Sequence, residues 1–308
     1  MSYLLHLNQR LAAALAQFPE NFRNRHGRYL HNLQCEDGGF PDREGGSDLY
    51  YTGFALRGLE CLGSVKGSLA LRAGAYLRSC LHHQATIIDF LSLLYASMVV
   101  KDAGGPALVE EAGEAFPDRV AAELENYRKD DGGYARAIES ASGSTYHSFL
   151  VALCYEMIER ELPEQGRLAE FILERQREDG GFVEVKPARK GGTNPTAAAL
   201  ALLVLLGEVE EGVISSAVEF LVGMQSPEGG LKANGRIPAA DVLSTFTGLL
   251  TLTDLGFDDE LELDALRDYV ERCEVGTGGF RGGIWDEGRD AEYTFYGLGS
   301  LALVSGAE

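Results

Sequence analysis

The chain has 308 residues, 45 % of them apolar, and a formal net charge of −20. That is enough for one large domain or two ordinary ones with a substantial core, and so acidic a surface repels phosphate backbones, which excludes nucleic acid as a partner. No run of 18 or more uncharged apolar residues occurs, so no membrane-spanning helix is predicted, and five scattered cysteines without a CxxC or Cys/His cluster exclude a disulfide framework and fit a reducing cytoplasm.

The first predicted element is an amphipathic helix over residues 1–18, MSYLLHLNQRLAAALAQF. His6 and Arg10 interrupt its apolar pattern, so it does not read as a secretion signal.

From Phe22 onward the chain repeats. Five Gly-Gly pairs follow one another: CEDGGF at Gly38, KDDGGY at Gly132, REDGGF at Gly180, SPEGGL at Gly229 and GTGGF at Gly278. Their spacings are 94, 48, 49 and 49 residues. The first gap holds two periods, so the repeat near His82 to Val100 lacks its Gly-Gly. An amphipathic segment precedes each pair, as in RLAEFILERQ and AVEFLVGMQ. A more apolar segment follows after a loop: YYTGFALRGLECL, STYHSFLVALCYEMI, PTAAALALLVLL, LSTFTGLLTL and YTFYGLGSLALV.

Each repeat therefore reads as an outer helix with one polar face, a Gly turn serving as a C-cap, a loop, and an inner helix apolar all round. A helix apolar on every side must be buried on every side. Two concentric layers closed into a ring satisfy this, and an open helical solenoid is the alternative. The expected fold is all-α: a six-repeat α/α toroid (α6/α6 barrel) with an extra N-terminal helix. It forms a single domain over 1–308, with repeats from about 22 to 305.

A period near 48 with Q-x-x-D-G-G-F at the helix junction resembles the terpene cyclase and protein prenyltransferase superfamily, most closely a protein prenyltransferase β-subunit. The resemblance implies a central apolar funnel for an isoprenoid, basic residues at its mouth for the diphosphate, and a zinc ion that activates an acceptor thiol. It also implies a helical partner subunit.

The threonines Thr52, Thr145, Thr196, Thr245 and Thr294 align the repeats. On that alignment the family's zinc-ligating Asp falls on Asp241, its Cys on Leu243 and its His on Tyr293. Leucine ligates nothing and a phenol is a poor zinc ligand, so zinc is not expected. The family's diphosphate-binding His would be Gly192 and its Arg Gly143. The D-x-D-D acid motif of the squalene-cyclase branch is absent.

Three groups could still carry function. The loops over 134–144, 182–195 and 231–244 hold Arg136, Lys186, Arg189, Lys190, Lys232 and Arg236 against three carboxylates, a local +3 within a chain of −20. Helix N-termini point the same way, so these six are the candidate diphosphate-binding residues. The inner-helix aromatics Tyr50, Tyr51, Phe54, Tyr146, Phe149, Phe246 and Tyr293 are the candidate isoprenoid lining, with simple layer packing as the alternative. Asp48, Asp241 and Asp290 each stand four residues before a threonine. They read as helix caps, or as an arc able to hold Mg²⁺ or to act as an acid. His147 is a candidate base or a core histidine. His82 and His83 adjoin without the i, i+4 spacing of a helix-facial metal site.

The expected function is a prenyltransferase β-subunit-like protein that binds an isoprenoid diphosphate without zinc. A non-catalytic interaction scaffold and a terpenoid cyclase using the Asp arc are the alternatives. No cofactor is predicted, with magnesium the one metal the arc could take. A homodimer or a helical partner subunit is possible, and the amphipathic segment Tyr3 to Phe18 could either cover the surface that a helical partner would use or mediate self-association.

Overall fold

The computed structural model describes residues 2–81 and 86–306, so His82 and His83 lie outside the described residues. Helix α1 (Tyr3–Leu15) follows the apolar spacing of its sequence, with Leu4, Leu7, Leu11 and Leu15 on one buried face. Outer and inner helices then alternate along the chain. They are α2 (Glu20–Leu33), α3 (Leu49–Cys61), α4 (Ser68–Cys80), α5 (Ile87–Asp102), the short α6 (Leu108–Glu111), α7 (Phe116–Glu125) and α8 (Thr145–Met157). The series continues with α9 (Gln165–Leu173), α10 (Thr193–Leu206), α11 (Glu211–Val222), α12 (Val242–Leu255), α13 (Leu263–Cys273) and α14 (Ala291–Gly306).

Burial separates the two layers as the patterns predict. Outer helix α13 buries Leu266, Tyr269, Val270 and Cys273, one stripe at helical spacing. Inner helix α14 is buried at every residue from Thr294 to Val304. Each of α3, α5, α8, α10, α12 and α14 packs on the next, and α14 packs on α3. The inner layer is thus a closed ring, and the fold is an α/α toroid rather than an open solenoid. Strand content is confined to two antiparallel pairs in the loops, β1 (Phe40–Pro41) with β2 (Ser47–Asp48) and β3 (Phe280–Arg281) with β4 (Arg289–Asp290).

The glycine pairs, expected as C-caps, do not cap the outer helices but lie in the turns beyond them. Helix α11 stops at Val222, seven residues before Gly229, so that glycine is not its C-cap. It sits in the turn that follows, at φ +102°, and a Cβ there would lie 2.0 Å from the Ala265 carbonyl oxygen of the next outer helix. Only a residue without a side chain allows that approach. Gly278 makes the same approach to the carbonyl of Arg25 on α2, so the last repeat docks on the first outer helix.

The hydroxyl of each repeat ties loop to inner helix, and it revises one register. Thr52, Thr196, Thr245 and Thr294 accept the backbone N–H of Phe40, Phe182, Leu231 and Phe280. In α8 the equivalent acceptor for Tyr134 N–H is Ser148 at 2.9 Å, not Thr145. Thr145 instead reaches across to the neighbouring loop, its Oγ1 donating to the Val183 carbonyl at 2.7 Å. The position two before the hydroxyl is therefore Tyr146 rather than Gly143.

Helix α1 lies across the ring at the C-terminal ends of the inner helices. Its Tyr3 N–H donates to Glu156 at 2.9 Å, Arg10 pairs with Asp254 at 2.7 Å, and Asn8 donates to Glu60. Of the two roles expected for this helix, its apolar face takes the covering one, packing over the end of the toroid.

Candidate functional site

A cavity of about 460 Å³ occupies the centre of the ring. Side chains one helical turn apart line its wall. On α3 these are Tyr50, Phe54 and Arg57, with Gly53 leaving room between them. Tyr146, Phe149 and Leu153 follow the same spacing on α8, and Leu243, Phe246 and Leu250 on α12. Helix α10 contributes Ala197, Ala198 and Ala201, whose small side chains leave the centre open. Tyr3, Leu4 and Leu7 of α1 form the floor. The loop residue Glu184 stands at the opposite end, near the N-termini of the inner helices.

Of the seven aromatic candidates, Tyr50, Phe54, Tyr146, Phe149 and Phe246 line this cavity, whereas Tyr51 and Tyr293 are not among its lining residues. The Tyr293 ring instead carries the Arg43 guanidinium 5.3 Å above it. Tyr3, Tyr95, Tyr296, Arg57 and Glu184 also line it. Tyr296 is an inner-helix aromatic of the kind the sequence points to, whereas Tyr3, Tyr95, Arg57 and Glu184 are not expected there, although a lone arginine inside YYTGFALRGLECL is a visible signal.

The three aspartates are caps. Asp48 accepts Tyr51 N–H at 3.0 Å, Asp241 accepts Ser244 N–H at 2.7 Å, and Asp290 accepts Tyr293 N–H at 2.8 Å. Asp241 also accepts the Ser244 hydroxyl at 2.8 Å, and Asp290 holds Arg43 Nε at 2.7 Å. Each carboxylate thus serves as a helix cap, and among the described residues no group of three or more His, Cys, Asp or Glu is arranged to hold a metal ion. The arc expected from spacing does not assemble.

At the positions aligned with a zinc set, Asp241 is a cap, Leu243 offers no donor atom, and burial pushes the Tyr293 phenol up to about 12.

His147 accepts or donates at Nδ1 to Ser144 Oγ over 2.8 Å, and the Ser144 hydroxyl in turn donates to Glu184. Burial and then the charge of Arg136 lower His147 to about 4, so the ring is neutral at pH 7. Ser144 also caps α8 through His147 N–H. The trio ties a helix start to its neighbouring loop.

None of Arg136, Lys186, Arg189, Lys190, Lys232 and Arg236 lines the cavity. Lys186 pairs with Glu174 at 3.2 Å and Lys190 with Asp179 at 3.8 Å, both on the outer flank of their loop. The one cation among the lining residues is Arg57, and the one carboxylate is Glu184.

At the α3–α14 seam, the Tyr50 hydroxyl donates to Glu292 Oε1 at 2.6 Å. Burial raises Glu292 to about 7, against the lowering effect of that hydrogen bond.

The prenyltransferase alpha-alpha toroid domain model matches residues 16–71 and 140–308. This chain belongs to the prenyltransferase alpha-alpha toroid family. No curated protein matches it. Solved structures show how widely the toroid is used. Candida albicans protein geranylgeranyltransferase-I, complexed with GGPP, superimposes with TM-score 0.71 at 16 % identity over 91 % of this chain and 90 % of that one. A variant of the type II terpene cyclase MstE from Scytonema, in complex with geranylgeranyl dihydroxybenzoate, gives 0.62 at 14 % identity over 96 % and 98 %. The GH76A alpha-1,6-mannanase from Salegentibacter sp. HEL1_6 gives 0.64 at 14 % identity over 94 % and 99 %. Prenyl and carbohydrate enzymes share this toroid, so the function of a family member must be argued from its cavity. No helix among the described residues is long and apolar enough to cross a membrane.

Proposed function

We propose that the central cavity binds the hydrocarbon chain of an isoprenoid, and that any transfer chemistry in this prenyltransferase-like toroid proceeds without zinc. The observation that carries this reading is the lining. A space of about 460 Å³, open at its mouth, is walled by Phe54, Phe149, Phe246 and Tyr296 with alanines between, and floored by leucines. Its size suits a drug-sized apolar ligand, and ring faces favour a polyene. The prenyl ligands of two similar folds support the same class. Calorimetry with farnesyl and geranylgeranyl diphosphate tests it: heat with about micromolar affinity is expected. No heat from folded protein at high micromolar ligand removes the reading.

A second reading is a non-catalytic scaffold. Ile138, Ile237, Ile284 and Trp285 are exposed on the loops around the mouth, with Trp285 60 % accessible. Exposed aromatic and aliphatic tips on adjacent loops suit a protein partner. Light scattering of the parent chain and Trp285→Ala checks self-association, and an identical monomer in both removes that form of it.

A further inference from the structure

The cavity has one unexplained feature. Arg57 enters an otherwise apolar wall from the middle of α3. Its Nε is buried and has no hydrogen-bond acceptor. Among the described residues none accepts a hydrogen bond from any atom of the guanidinium, and none forms a salt bridge with it. Glu60 is the carboxylate placed to pair with it, one turn on along α3. It lies within reach of the guanidinium's charge but makes no salt bridge with it, accepting instead from Asn8 and from the Tyr95 hydroxyl at 3.2 Å. What the guanidinium has is aromatic: its carbon lies 4.0 Å from the Phe295 ring centroid, 5.1 Å from Tyr95 and 5.5 Å from Phe54.

Those rings hold the group flat and fix its direction, but they leave its N–H groups unused. Nε is the buried donor, and leaving it unmade is costly, whereas Arg57 as a whole is half-buried and its two terminal nitrogens are accessible from the cavity. A guanidinium presents its donors as a planar fork that matches the two oxygens of a carboxylate or phosphate. Arg57 lies seven residues along α3 from Tyr50, about 10 Å deeper into the cavity and close to the α1 floor.

We infer that Arg57 is the head-group site of the cavity: it binds the oxyanion of an amphiphile, a carboxylate or a phosphate, whose apolar chain runs back past Phe54, Phe149 and Phe246 toward the mouth. This deepens the proposed function and rests on it for the isoprenoid chain. It also places the anion at the closed end of the ring rather than on the basic loops of the rim.

The test compares farnesoic acid, farnesyl phosphate and farnesol by calorimetry on the parent chain, on Arg57→Met and on a Lys186/Arg189/Lys190→Ala rim variant. Charged hydrogen bonds to the fork should make both oxyanions about tenfold or more tighter than the alcohol on the parent chain. The preference should vanish in Arg57→Met, which keeps a long apolar side chain, and persist in the rim variant. Equal binding of acid and alcohol by the parent chain overturns the inference, as does a preference that survives Arg57→Met or disappears with the rim. Thermal melting confirms that each variant is folded. If Arg57→Met does not fold, Arg57→Lys takes its place, keeping charge without the fork, and the oxyanion preference should shrink. Hexadecanoate separates the two levels of the argument. If it binds in an Arg57-dependent way while all prenyl compounds fail, the head-group site stands and the isoprenoid reading falls. If no oxyanionic amphiphile binds, both fall.

Discussion

Tyr50 donates its phenolic hydrogen to Glu292 over 2.6 Å, joining the first inner helix to the last at the point where the ring closes. Tyr50 faces the cavity, so a buried carboxyl with a raised affinity for its proton stands directly behind the cavity wall.

Glu292 gives a pH-dependent stability with a definite sign. Its carboxyl is raised from 4.5 to about 7 in the folded chain. Between those values the folded state holds a proton the unfolded state has lost, so stability is full below 4.5 and falls as pH rises toward 7. The loss is about 2 kcal/mol after allowance for solvent access. Glu292→Gln should remove this contribution and make the slope of stability against pH more positive than in the parent chain. Urea midpoints between pH 4 and 8 check it, and an unchanged slope counts against a buried neutral carboxyl.

His147 works in the opposite direction over nearly the same range. Its imidazole falls from 6.5 to about 4 on folding, so it contributes stability above 6.5 that is lost as pH drops toward 4. In the parent chain these two contributions oppose each other. His147→Gln should unmask the Glu292 slope, and Glu292→Gln the His147 slope. Opposite signs in the two single variants are the expected signature, and slopes of the same sign would contradict it.

Gly229→Ala is expected to destabilise by about 3 kcal/mol or more, because it combines an unfavourable φ with a backbone collision. The added methyl would meet the Ala265 carbonyl oxygen at 2.0 Å. Gly212→Ala in α11 meets nothing within 4 Å and should be neutral or slightly stabilising. Denaturant midpoints of the two variants compare them directly. Similar values would mean that the turn relaxes.

Ala198→Phe should fill the cavity from α10. Because the new ring enters open space, the change in stability should stay within about 1 kcal/mol, while prenyl affinity falls about tenfold or more. Calorimetry beside a melting curve separates these outcomes. Unchanged affinity would place the ligand elsewhere.

The sequence by itself determined the layered architecture. Its Gly-Gly period and the contrast between stripe-faced and all-apolar segments are local consequences of helix geometry, and they were enough to require outer helices around inner ones. It also places a leucine and a tyrosine where the resemblance implies two zinc ligands, and residue type alone makes a zinc-free site the expectation. The capping role of Asp48, Asp241 and Asp290 was legible for the same reason: a cap is made within four residues.

Only the tertiary structure decided what depends on contacts across the ring. Ser148 replaces Thr145 as the loop-holding hydroxyl because the hydrogen bond comes from Tyr134, outside the helix. The N-terminal helix became a floor because Glu60, Glu156 and Asp254, far apart in sequence, converge at one end of the toroid. The basic loops that looked like an anion site by charge count stay outside the cavity, and the cation that enters it is Arg57. Charge along a chain is a sum, whereas a site depends on direction, and direction is fixed by which helix faces which.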